Sequence, residues 1–360
     1  MSVKPRKAVE SLSACYHGGP NYTEMIRLGV APSEIIDFSS NSNPFPFPLP
    51  PDLIRNVVVD HYPDSESTTL RQLIAKQNSI KIDNVLVGSG SMEIIRLVAL
   101  AYFSSGDKVV IVEPTFGEYE TACFIAGVET VETWTQPASG FRLNVSSLIK
   151  HAVRIEPKAI FICNPNNPTG QYLSREDLES IVIALPQSLV ILDEAYIAFT
   201  DGAWVSTDFT EKYDNLIIVR SMTKDFALAG LRLGYCLADK SVISNLCKVR
   251  PPWNVNAVAQ KAGEMALLDG NYLEESEKAI AKGKLYLVSE IEKCGFKVVP
   301  SRTNFFLIKV GNAKEVRAKL IEKGLMVRDC TSFGLPDYIR IAPRTMEENR
   351  KLIKAIKLLT

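Results

Sequence analysis

Lys224 stands in the run Arg220-Ser221-Met222-Thr223-Lys224-Asp225-Phe226-Ala227-Leu228-Ala229-Gly230-Leu231-Arg232-Leu233-Gly234, with Ser221 three residues before it and Arg232 eight after. It follows the β-type segment Leu216-Ile217-Ile218-Val219. That places it just past a strand's carboxyl end, where open α/β sheets put their ligand sites. A partly desolvated lysine beside another cation has its ammonium form disfavoured and can condense with an aldehyde. Ser221 and Arg232 suit one anion, since arginine offers a planar fork of donors and serine a hydroxyl. A lysine nucleophile beside a phosphate site points to pyridoxal phosphate.

That cofactor asks for an acid at its ring nitrogen, donors for its O3 and phosphate, and a stacking partner. Asp193, closing the apolar run Leu189-Val-Ile-Leu192, can keep the pyridine nitrogen protonated. Asn167 and Tyr196 can donate to O3, and Phe116 can lie on the ring face. Val85-Leu-Val87 leads into Gly88-Ser-Gly90-Ser91 and then the amphipathic Met92 to Leu100. Strand, glycine turn and helix start make an anion site, because backbone N–H groups and the helix dipole converge there. The phosphate set is therefore Gly90, Ser91 and Met92 with Ser221 and Arg232.

These side chains need a scaffold. From Val85 to about Ala238, short apolar runs (108–112, 159–162, 189–192, 216–219) alternate with helical patterns, as in a doubly wound, mostly parallel α/β sheet. Each run ends in something polar or turn-forming: Glu113-Pro-Thr-Phe116, Asn164-Pro-Asn-Asn-Pro-Thr-Gly170, Asp193-Glu-Ala-Tyr196, and the lysine stretch. After Pro251-Pro-Trp-Asn-Val-Asn256 the pattern predicts one long helix from Ala257 to about Cys294. A smaller α+β unit follows, with strands 304–310, 325–328 and 338–341 and helices 313–323 and 345–358. Residues 1–50, ending in a proline-rich tail, read as a linker or an arm packed over the body, or as an arm that helps close a site. The expected division is arm 1–50, large domain 51–255 and small domain 256–360.

Lysine plus arginine equals aspartate plus glutamate at 41 each, so no global field favours nucleic acid or an anionic membrane. A small-molecule ligand is the expectation. Seven scattered cysteines never form C-x-x-C, so neither a disulfide framework nor a metal site is expected. No apolar run reaches the length of a membrane span, and the protein reads as cytoplasmic.

The ordered motifs Gly88-x-Gly90, Pro114-Thr-Phe116, Asn164 to Gly170, Asp193-Glu-Ala-Tyr196, Ser221-x-x-Lys224 and Gly230-Leu-Arg-Leu-Gly234 resemble the class I/II aminotransferases of pyridoxal-phosphate fold type I. The resemblance covers nearly the whole chain. It implies a homodimer with sites at the interface, Tyr62 reaching the neighbouring subunit's cofactor phosphate, and Arg340 clamping the substrate carboxylate. Within that family the N-terminus, with His17-Gly-Gly and Ile35-Ile-Asp-Phe-Ser-Ser-Asn-Ser-Asn-Pro44, is similar to the threonine-phosphate decarboxylases of cobalamin synthesis. The related histidinol-phosphate aminotransferases carry a glutamate where Ser42 stands. Arg328 matches both and would serve the substrate's phosphate, with His17 and Asn43 closing over it. The expected reaction is decarboxylation of O-phosphothreonine to an aminopropanol phosphate, with histidinol-phosphate transamination as the alternative. Two rivals are weaker: a nicotinamide dehydrogenase leaves Lys224 and Asp193 unexplained, and a regulator lacks a DNA-binding module.

Overall fold

The computed structural model describes residues 3–10, 12 and 18–359. In chain order the strands among them are β1 Ile36–Asp37, β2 Val85–Gly88, β3 Lys108–Glu113, β4 Glu129–Trp134, β5 Ala159–Cys163, β6 Leu189–Asp193, β7 Leu216–Ser221 and β8 Gly234–Ala238. They continue with β9 Lys297–Val298, β10 Phe306–Lys309, β11 Leu325–Met326, β12 Arg328–Asp329 and β13 Tyr338–Ile341.

Seven strands build one sheet in the order β2-β8-β7-β6-β5-β3-β4. Only β8 is reversed, running antiparallel to β2 and β7. Every residue of β5 and β6 is buried, as strands covered on both faces require. Alternate residues divide between two layers: Val110, Ile160, Val190 and Ile218 pack on one face, Val109, Phe161, Ile191 and Val219 on the other. With both faces apolar, polar chemistry is left to the strand ends.

The second sheet, β12-β13-β10-β9, is antiparallel. Phe306, Ile308, Ile339 and Ile341 pack with Leu287 and Ile291 of helix Tyr272–Lys293 and with Leu352 and Ile353 of helix Met346–Ile356. The N-terminal segment joins this unit through parallel pairing of β1 with β11 and a two-pronged ion pair from Arg317 to Glu24, both contacts at 2.7 Å.

Three sequence expectations are corrected. The long helix is two, Ala257–Leu268 and Tyr272–Lys293, because Asp269 accepts the N–H groups of Asn271 and Tyr272 at 2.9 Å each and Gly270 loosens the backbone between them. The single strand 325–328 is two, since the chain changes sheets at Val327. Strand β8 has no counterpart in the expected pattern. Its glycine explains the fit: a Cβ on Gly234 would lie 2.6 Å from the Ser91 nitrogen and 2.9 Å from the Arg220 carbonyl oxygen. No helix among the described residues is long and apolar enough to cross a membrane.

Candidate active site

Residues just past the carboxyl ends of β2, β3, β5, β6 and β7 line one cavity of about 930 Å³. The segment 39–41 and residues of β12 and β13 close it from the other side. Of the residues singled out from sequence, Ser91, Met92, Phe116, Asn167, Asp193 and Tyr196 line it, as do Ser221, Lys224, Arg232, Arg328 and Arg340.

Lys224 follows the end of β7. Burial pushes its ammonium down to about 8, and the Arg340 and Arg232 guanidinium groups push the same way. At pH 7 that leaves roughly a tenth of the amine neutral where an ordinary lysine has only a trace, and the neutral amine is what attacks an aldehyde. Beside it, the Ser221 and Thr223 hydroxyls share a hydrogen bond of 2.6 Å.

Helix Ser91–Tyr102 starts after Gly90, which caps it with no side chain. Its first N–H groups therefore remain available to an anion. Arg232 closes this corner: a Cβ on Gly90 would lie 2.8 Å from Arg232 Nη2, and Gly90 holds a φ of +79°. The guanidinium is steadied by donating from Nη1 to the Ala229 carbonyl at 3.0 Å.

Asp193 ends β6 in full burial. Its Oδ2 accepts from the Tyr119 hydroxyl at 2.6 Å and its Oδ1 from the Ala195 N–H at 2.9 Å. Burial raises its pKa against the pull of the Tyr119 hydrogen bond. A cation brought to this carboxylate would reverse that shift. Tyr119 itself stacks on Phe161 at 4.7 Å, with Phe116 edge-on to it at 5.6 Å. Burial also pushes the Tyr196 phenol up to about 12, keeping it a proton donor.

Arg340, from β13, gives Nη1 to Asn167 Oδ1 and Nη2 to the Ser39 carbonyl at 2.6 Å. Its Nε has no partner. Arg328, its antiparallel partner on β12, donates to Ser332 Oγ at 2.7 Å and lies over the Phe333 ring at 5.1 Å.

Some expectations are not met within this chain. Asn43 lies outside the cavity: its amide donates to the Asp225 carbonyl and Ser276 Oγ, and its N–H to the Lys224 carbonyl at 2.8 Å. It is a brace under the lysine loop rather than a ligand contact. Tyr62 is 77% exposed and stacks on Trp253 at 4.1 Å, away from this cavity. His17 lies outside the described residues.

The sequence reading missed Tyr119, Thr223, Ser332 and Asn41. Thr223 sits inside the lysine motif and Tyr119 three residues past Pro114-Thr-Phe116, so closer attention to every polar residue near a strand end would have found them. Asn41 is 1% exposed, lines the cavity and leaves both amide atoms unpartnered. Nothing in a lone Asn-Ser-Asn marks that.

Amine, anion corner, ring-nitrogen acid and O3 donors thus converge on one cavity, and the residues fit pyridoxal phosphate. The family model for aminotransferase class I and II matches residues 33–356. A histidinol-phosphate aminotransferase of Symbiobacterium thermophilum is 34% identical over 357 residues, 98% of this chain and 97% of the relative. The solved histidinol-phosphate aminotransferase from Clostridium acetobutylicum matches with a TM-score of 0.81 at 29% identity, over 89% of this chain and 98% of that one. The L-threonine-O-3-phosphate decarboxylase from Porphyromonas gingivalis matches with a TM-score of 0.78 at 27% identity, over the same shares of 89% and 98%. The chain belongs to the class I and II aminotransferase family, and its cofactor is pyridoxal 5'-phosphate.

Proposed function

We propose that the protein is a cytoplasmic homodimeric aminotransferase that moves the amino group of a small phosphorylated amine, histidinol phosphate, to 2-oxoglutarate. The observation that carries the substrate class, a phosphorylated amine or amino acid, is the pair Arg328 and Arg340, side by side in the cavity that holds Lys224 and Asp193. Two guanidinium groups placed together suit anionic oxygens. The phosphate of the amine in one half-reaction and a carboxylate of 2-oxoglutarate in the other supply those oxygens. Curated relatives of similar length, named histidinol-phosphate aminotransferases, support the choice of amine.

Pyridoxal phosphate supplies an electron sink for negative charge at the substrate's Cα. The chain's own residues do the rest. Lys224 Nζ, low in pKa, would take the Cα proton and give it back. Asp193, held by Tyr119, would keep a proton on the ring nitrogen, and Tyr196 and Asn167 would donate to the ring oxygen. Ser221, Thr223, Arg232 and the start of helix Ser91–Tyr102 would hold the phosphate. Arg340, fixed by Asn167 and Ser39, orients the substrate's anion.

Decarboxylation of O-phosphothreonine is the second reading, favoured by Gly18 lining the cavity, by Ser42 in place of glutamate, and by the likeness to the Porphyromonas gingivalis decarboxylase. It ranks second because Ser42 does not line the cavity. The test is assay of purified holoenzyme with histidinol phosphate plus 2-oxoglutarate, and separately with O-phosphothreonine. Glutamate formation from the first pair is expected. Carbon dioxide from the second substrate, without glutamate from the first, would reverse the order.

A further inference from the structure

Helix Glu118–Ala126 presents two faces of chemistry to the cavity. Tyr119 turns inward to Asp193, while Glu120, Thr121 and Phe124 line the cavity wall. Glu120 accepts no hydrogen bond and joins no ion pair among the described residues. Burial raises its pKa, and the Glu132 carboxylate raises it further. Glu113, pushed up to about 7 by burial, feels Glu132 and Glu120 in turn. This side of the cavity therefore presents a carboxyl, Glu120, with no hydrogen-bond or ion-pair partner among the described residues.

Aromatic surface lies beside that carboxyl. Phe124 and Phe333 both line the cavity. The arginine pair supplies the opposite sign to the same space, and Asn41, buried with an unpartnered amide, marks the cavity as one that awaits a polar ligand. A ligand that satisfies both signs is anionic at one end and offers a flat N–H donor or cation at the other.

We propose that Glu120 is a specificity-determining residue that accepts a hydrogen bond from a ring N–H at the end of the substrate remote from its phosphate, with Phe124, four residues on along the same helix, offering an apolar face to the ring. This rests on the reading of the protein as acting on histidinol phosphate, and it names the part of the chain that selects the imidazole. The imidazole is planar and carries an N–H in its neutral form and two in its charged form. A charge-assisted hydrogen bond to Glu120 and contact with the Phe124 ring both favour it. O-Phosphothreonine has no such group. Its two arms are anionic, and whichever lies toward Glu120 meets a like charge.

The test compares wild-type holoenzyme with Glu120→Gln, which keeps size and polarity and removes charge. The quantity read is the KM for histidinol phosphate divided by the KM for 2-oxoglutarate, the latter having no ring N–H. That ratio is expected to rise about tenfold, because the glutamine amide oxygen still accepts the ring N–H but without the charge that makes such a bond roughly twice as strong. An unchanged ratio, or both KM values rising together as lost packing would produce, overturns the assignment. Failure of the functional reading shows separately, as a wild-type enzyme that does not turn over histidinol phosphate. Equilibrium binding of histidinol phosphate then decides: tenfold tighter binding by wild type than by Glu120→Gln supports the assignment, and equal binding overturns it.

Discussion

Arg328 and Arg340 stand directly opposite each other on the antiparallel strands β12 and β13, each almost wholly buried. Opposite residues of such a pair project from the same face of the sheet, about 5 Å apart at Cβ. Twelve positions apart in sequence, they are neighbours because Thr331–Phe333 and Gly334 turn the chain back on itself.

The first prediction follows from their different partners. Arg328→Ala is expected to raise the KM for the phosphorylated amine about thirtyfold or more while leaving the cofactor's visible spectrum in place. Arg340→Ala should do the same and also lower thermal stability, since Asn167 Oδ1 and the Ser39 carbonyl both lose a donor. Steady-state kinetics with melting curves check this. A melting temperature for Arg340→Ala equal to that of wild type would remove its bracing role.

The second concerns Lys224. Its ordinary value of 10.5 falls to about 8 in the folded chain. Between those values the unfolded chain binds a proton that the folded chain does not, so this residue makes stability rise with pH across the window. Below about 8 the folded state carries a buried charge at full cost. Lys224→Met, stripped of cofactor, should therefore be more stable than stripped wild type at pH 7, with the difference gone above 10.5, while turnover falls by several orders of magnitude. Denaturant titrations at several pH values measure it, and a variant no more stable at pH 7 refutes the burial argument.

A third set separates holding the cofactor from using it. Asp193→Asn should retain cofactor yet turn over far more slowly. Arg232→Ala should weaken cofactor binding by about 2 kcal/mol, as loss of charge-assisted hydrogen bonds does. Gly90→Ala should resemble Arg232→Ala, because its Cβ meets Arg232 Nη2 at 2.8 Å in a left-handed backbone. Dialysis followed by absorbance distinguishes the classes, and equal cofactor retention in all three would contradict the assigned roles.

The fourth tests Tyr62, whose exposed ring stacks on Trp253 and is expected to serve a second subunit. Tyr62→Ala and Lys224→Ala should each be nearly inactive alone. Unfolded together and refolded as hybrids, they should recover activity, since one site then holds Lys224 from one chain and Tyr62 from the other. No recovery would place Tyr62 outside the site.

The large sheet was legible because parallel strands buried on both faces are written as unbroken apolar runs, such as Ala159-Ile-Phe-Ile162. Most of the residues expected to hold the cofactor were legible because they follow such a run within a few positions, whereas Arg232 lies farther on, just before β8. What escaped depended on register and on turns. Gly234–Ala238 is a short strand whose reversed direction leaves no mark in composition, and the break at Asp269 rests on a side chain folding back two and three residues. Asn43 and Asn41 are two positions apart in an Asn-Ser-Asn run, yet one braces the backbone and the other faces the cavity. Residue type does not separate those roles; orientation in the folded chain does.

The segment from Ser39 to Asn43 has a consequence for the rate of turnover. Its carbonyls at Ser39 and Asn41 are gripped by Arg340 and Asn304 at 2.6 and 2.9 Å, and its N–H at Asn43 by the Lys224 carbonyl at 2.8 Å. One short stretch thus links the anion-binding arginine to the lysine loop with no slack between. It works as a ruler. The distance between the lysine loop and Arg340 is thus set by hydrogen bonds within the chain. A misplacement of about 1 Å can cost a hundredfold in rate, so substitutions in this segment are expected to slow turnover although they touch no substrate.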